Sequence, residues 1–144
     1  MPPMRQACPL RCCEPQLDGA EGLRDAEYRA QIVRVKKLTK LWSGILGAGW
    51  FHIQLCFERE GIEGAHHTGM PYLACTEGSW EYMNFTIRWN MPLVLETGDE
   101  ELENAVVHEF MHVFLREMEA EGAGHEERVA TLLARAIIFT RDSR

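Results

Sequence analysis

At 144 residues the chain is long enough for one domain with its own core and too short for two, and a hydrophobic content of 46% belongs to an ordinary globular protein. A formal net charge of −7 argues against broad nucleic-acid binding, which needs a basic face opposite the phosphates. No stretch reaches the roughly 18 consecutive apolar residues of a membrane span, because even the richest, Leu41 to Phe57, carries Ser43, His52 and Gln54.

Residues 1–20 hold Pro2, Pro3, Pro9, Pro15 and Gly19 with little periodicity and read as an irregular N-terminal arm ahead of a single domain over 21–144. Arg5, Gln6 and Arg11 interrupt any apolar run of the secretory kind. The five cysteines, Cys8, Cys12, Cys13, Cys56 and Cys75, are odd in number and make no dense framework, so they read as reduced thiols in a cytoplasm. Cys8, Cys12 and Cys13 match no paired-knuckle spacing for a second metal.

From Asp25 to Leu46, Tyr28, Ile32, Val35, Leu38, Leu41, Trp42 and Ile45 recur at steps of three and four, which predicts an amphipathic helix stopped by Gly47 and Gly49. Arg29, Arg34, Lys36, Lys37 and Lys40 form its solvated side. Phe51, Ile53, Leu55 and Phe57 then alternate with His52, Gln54, Cys56 and Glu58, a strand with one face on the core and His52 turned outward. The stretch from Arg59 to Pro71, with three glycines and the pair His66 and His67, reads as an exposed loop. Tyr72 to Thr76 is a short strand, Glu77 to Ser79 a turn, and Trp80 to Trp89 a longer strand with Met83, Phe85, Ile87 and Trp89 on one face. That longer strand is also a candidate edge of the sheet.

Thr97 followed by Glu100 has the capping-box spacing, and Asp99, Glu100, Glu101 and Glu103 suit the positive end of a helix dipole, so a helix is expected to start there. Apolar residues surround it almost completely from Leu102 to Met118, which predicts central burial. A second helix runs from about His125 to Thr140 with Val129, Leu132, Leu133, Ala136, Ile137 and Ile138 apolar. The expected fold class is α+β: an N-terminal helix, a small, mostly antiparallel three-stranded sheet, then two helices.

Inside the first of those helices lies His108-Glu109-Phe110-Met111-His112, an HExxH pattern. Histidines four apart stand about 6 Å apart along one helical face, so both imidazoles can converge on one ion. Glu109 points a little around the helix, beside the ion rather than on it, where it can take a proton from a water that the metal activates. Three polar groups in a helix apolar on its other sides have no evident purpose without a metal. A catalytic zinc takes three protein ligands and keeps one position open. A histidine six residues after His112 is ruled out because Met118 stands there, which leaves His125, Glu126 and Glu127 as candidates for the third ligand.

At these residues the chain resembles the gluzincin-type HExxH peptidases, whose third ligand is a glutamate in a second helix reading Glu-x-x-Ala with another Ala further on. Glu127, Ala130 and Ala134 match. The order of elements over residues 25–140 is also similar to the minimal zincins of the ImmA/IrrE-like and phage-encoded kind. The resemblance implies one Zn2+ ion on His108, His112 and Glu127, Glu109 as general base, and hydrolysis of peptide bonds in a protein or peptide substrate. It departs at Thr131, where many such families carry an Asp or Asn that supports the ligands.

Ala130 and Ala134 also make a small-residue stripe that would let the second helix cross close to the first at the metal, whereas Glu126 has Val129 and Leu133 in the corresponding places. For Glu127 to reach back, the motif helix is expected to end near Met118, with Glu119 to Gly124 as a returning loop. Tyr82, His66, His67, His125 and Arg128 are the candidate groups to steady an oxyanion. The competing reading is a zinc-stabilised interaction module without turnover. Glu109 weighs against it, since a structural ion gains nothing from a neighbouring base and would take a fourth protein ligand.

Overall fold

The computed structural model describes residues 22–64, 69–122 and 124–143. The N-terminal arm with Cys8, Cys12 and Cys13, and the pair His66 and His67, lie outside the described residues.

Helix α1, Gly22–Leu46, follows from the spacing of Tyr28, Val35 and Trp42, which repeat every seven residues and are all buried. Leu41 and Ile45, expected on the same stripe, are about half exposed, so that stripe is narrower than the sequence suggests. Gly47, at φ +66°, ends the helix in a left-handed turn that a side chain would resist, and a 3-10 turn at Ala48–Trp50 leads into the sheet. Not all the basic residues are merely solvated: Arg34 reaches the Thr97 carbonyl at 3.0 Å and Asp99 at 2.6 Å, pinning α1 to the start of a later helix.

The sheet has three strands, β1 (His52–Glu58), β2 (Ala74–Ser79) and β3 (Asn84–Asn90), in the order β1-β3-β2. It is mixed: β2 and β3 form an antiparallel hairpin, and β1 pairs with β3 in parallel, with Leu55 opposite Ile87. Parallel pairing demands that the chain return to the end of the sheet where β1 began, and β2, antiparallel to β3, makes that return. On the face turned to the helices stand Ile53, Leu55 and Phe57, then Phe85, Ile87 and Trp89, the last three fully buried. As expected, His52 is exposed.

The hairpin turn lies later than the sequence suggests. Ser79 still pairs with Asn84, and the chain reverses over Trp80 to Met83, with Met83 at φ +51°. Gly78 belongs to the strand because the backbones approach closely there: a Cβ would stand 2.4 Å from the Asn84 carbonyl oxygen. Glycine signalled close packing within the ladder, and read alone it looks like a turn. β3 is consequently the central strand and not the edge; β2 is the edge on the hairpin side.

A short helix that the periodicity did not announce, α2 (Met91–Glu96), follows β3 directly, with Pro92 in its first turn and Met91 and Val94 buried. Six residues are too few to display a helical repeat. Helix α3 is Asp99–Ala120, capped at its start by Gly98 with no side-chain cap. The expected Thr97–Glu100 capping box does not form, because Thr97 closes α2 instead and donates its hydroxyl to the Leu93 carbonyl at 2.7 Å. Its acidic first turn, Asp99 to Glu101, is as expected.

Helix α4, Glu126–Asp142, packs antiparallel on α3, since Glu126 meets His112, Thr131 faces His108, and Arg141 bonds Glu103. Ala130 and Ala134 are fully buried in that contact, while Leu132 and Leu133, expected inside, are largely exposed. A polar knot closes the far end of the helices: Trp42 donates its indole N–H to Glu103 at 2.9 Å, and Arg141 binds the same carboxylate while lying over the Trp42 ring. No helix among the described residues is long and apolar enough to cross a membrane.

Candidate metal centre

Helix α3 runs between α4 and the sheet, so residues a third of a turn apart face different partners. His108 and His112, one turn apart, look toward α4; Glu109 looks toward β2. The two histidine Nε2 atoms stand 2.9 Å apart. From the first turn of α4, Glu127 places one carboxylate oxygen 3.2 Å from His108 Nε2 and the other 3.2 Å from His112 Nε2. Three donors from two helices therefore converge on one point.

The donor set fits zinc. With ligand bonds of about 2.0 to 2.2 Å, the edges of a coordination tetrahedron are about 3.3 Å, close to the observed separations. Two imidazoles and a carboxylate are also the donors of a catalytic rather than a structural site. Among the described residues, these three form the one group of this kind.

Neighbours hold the two histidines from behind. Glu126 stands 2.9 Å from His112 Nδ1, and Thr131 faces His108 Nδ1 at 3.5 Å. Thr131 thus occupies the supporting place where the resemblance led one to expect Asp or Asn, with a longer and weaker contact. His125, the third candidate ligand, is exposed and serves as the left-handed residue that starts α4, at φ +66°.

Glu109 is almost completely buried, 5% exposed, and accepts a hydrogen bond from the Thr76 hydroxyl at 2.6 Å. Burial pushes its carboxyl up to about 7, against the opposing pull of the Thr76 hydrogen bond and of His112. A carboxyl held near neutrality is suited to taking and returning a proton. Sequence reading placed Glu109 but missed Thr76, because a threonine in a strand carries no signal until the strand is seen to lie against α3.

Glu127 reaches the histidines although α3 does not stop near Met118. The helix continues to Ala120, and Glu119, expected in the loop, lies within it. Eight residues past His112 carry the axis about 12 Å onward, but the five residues 121–125 can span about 17 Å and turn sharply at Gly122, φ +81°. Two left-handed residues, Gly122 and His125, reverse the chain without any need to shorten the helix.

The centre lies in a cleft of about 770 Å³ walled by β2 from Ala74 to Glu77, by α3 and by the start of α4. Cys75 lines it, and burial, with help from Glu77, pushes its thiol up to about 11. Of the groups expected to steady an oxyanion, Tyr82 is 82% exposed in the hairpin turn, while His125 and Arg128 are not on the cleft wall. Tyr72 and Arg116 are on it, and Arg116 is ion-paired with Glu119.

Comparison with family models, with curated proteins and with solved structures finds no match for this chain.

Proposed function

We propose that the chain is a zinc-dependent peptidase of the gluzincin type, with one Zn2+ held by His108, His112 and Glu127 and with Glu109 as general base. The observation that carries this reading is the meeting of three ligand-type side chains from two helices beside a fourth group, the buried Glu109 carboxylate, which is held from β2 by Thr76. Ligation and proton transfer need separate groups, and this arrangement supplies them.

When bound, the ion would act as a Lewis acid, lowering the pKa of water and polarising a carbonyl. Glu109 takes one proton from the attacking water as its oxygen bonds to the peptide carbon, and returns it to the departing amine nitrogen as the C–N bond breaks. Thr76 keeps the Glu109 carboxylate aimed into the cleft by its short hydrogen bond. An extended peptide would lie along β2, which among the described residues pairs with β3 alone and lines the cleft from Ala74 to Glu77. The free thiol of Cys75 agrees with a reducing compartment, and we place the protein in the cytoplasm.

The test is metal analysis of the purified protein together with a proteomic digest, comparing wild type with Glu109→Gln. Equal zinc in both and cleavage in wild type alone is the expected result. Zinc in both and no cleavage across broad substrate panels would make the chain a zinc-stabilised interaction module; no zinc in wild type would overturn the metal centre itself.

A further inference from the structure

The two histidines are held very differently from behind. His112 Nδ1 faces the Glu126 carboxylate at 2.9 Å, and His108 Nδ1 faces the Thr131 hydroxyl at 3.5 Å. Glu126 is also unusual for an acid in the first turn of a helix. The macrodipole favours such residues with their carboxylates in solvent, yet its side chain is 14% exposed against 47% for its neighbour Glu127.

We infer that Glu126 is a positioning residue for the metal centre, fixing the tautomer and orientation of His112, and this rests on the zinc reading above. An ionised carboxylate only accepts hydrogen bonds, so the bond to Glu126 requires the proton on His112 Nδ1. A neutral imidazole carries one N–H, and Nε2 is then left with its lone pair toward His108 Nε2 and Glu127. Thr131 cannot do the same for His108, because a hydroxyl donates or accepts equally well and selects neither tautomer. Position also separates the two adjacent acids. Glu127 oxygens lie 3.2 Å from both Nε2 atoms, and Glu126 addresses the opposite ring nitrogen, away from the point where the donors meet. The residue that supports the site therefore directly precedes the third ligand in the chain, where sequence reading weighed it only as a rival ligand.

The test is competitive Zn2+ titration of the metal-free full chain for wild type and for Glu126→Ala, Glu126→Met, Glu126→Gln, Glu127→Ala and His112→Ala. Melting curves of the metal-free proteins and absorption spectra of their Co2+ forms accompany it. The Ala and Met variants, which lack an acceptor, should bind zinc about 10- to 100-fold more weakly than wild type. Their metal-free melting temperatures should be unchanged, and Glu126→Gln, which keeps an accepting oxygen, should recover most of the affinity and the wild-type Co2+ spectrum. Affinity within twofold of wild type in the Ala or Met variant would overturn the inference. So would loss of affinity in all three Glu126 variants in step with lower metal-free melting temperatures, which would make the residue merely structural. Binding abolished by Glu126→Ala as completely as by His112→Ala, but kept by Glu127→Ala, would make Glu126 the ligand instead. Wild type that binds neither zinc nor cobalt would overturn the zinc reading, an outcome distinct from all of these.

Discussion

Close contact between α3 and α4 is what brings Glu127 to the histidines, and Ala130 is the residue on which that closeness can be tested. It is fully buried one turn after Glu127, in the seam where the helices meet. Ala130→Leu adds three carbons to a filled seam, and overpacking of that kind costs about 1 to 3 kcal/mol. Ala130→Gly removes one buried methyl group, about 0.8 kcal/mol, and adds the helix penalty of glycine, about 1 kcal/mol, so it destabilises by about 2 kcal/mol. The two variants thus lose similar stability but move α4 in different ways. Leucine pushes the helices apart, and a displacement of about 1 Å would stretch the 3.2 Å separations of Glu127 from the Nε2 atoms beyond what one ion can bridge. Glycine leaves the spacing intact. Urea unfolding of the metal-free proteins should show comparable losses, while zinc titration should show wild-type affinity for Ala130→Gly and at least a tenfold loss for Ala130→Leu. Wild-type zinc affinity in Ala130→Leu would refute the argument that the small-residue seam sets the position of Glu127.

Four further outcomes are expected. Thr76→Val removes the 2.6 Å hydrogen bond to Glu109 and should reduce kcat about 10-fold or more while leaving zinc affinity near wild type, as activity assays with parallel metal titration would show. Glu103→Ala leaves the buried Trp42 indole N–H without its acceptor and should cost about 1 to 3 kcal/mol in urea unfolding. The Arg141 hydrogen bond holds the Glu103 carboxyl below its ordinary value, so its stabilising effect is present above the unfolded carboxylate range and fades as pH falls through the lowered value; Glu103→Gln should remove that component of the acid dependence. Because the Cys75 thiol is pushed up to about 11, thiolate is scarce at pH 8.5, and iodoacetamide should modify Cys75 far more slowly in the native protein than in urea; equal rates would contradict the burial argument.

The α+β class, the order of the three long helices and three strands, and the pair His108 and His112 with Glu109 between them were legible from the sequence, because each is written in local periodicity or spacing. Ala130 and Ala134 could also be read as a seam, since small residues at three and seven places from Glu127 share a helical face. Other features depend on what an element packs against. Gly78 looks like a turn residue until β2 and β3 are seen to touch there, and Thr97 looks like a cap until α2 is seen to end on it. Which strand forms the edge followed from the parallel pairing of β1 with β3, a contact between segments about 30 residues apart that no local pattern encodes. At the centre the stripe of Ala130 and Ala134 singles out Glu127 from the sequence, but only the antiparallel docking of α4 on α3 turns its neighbour Glu126 to His112 Nδ1.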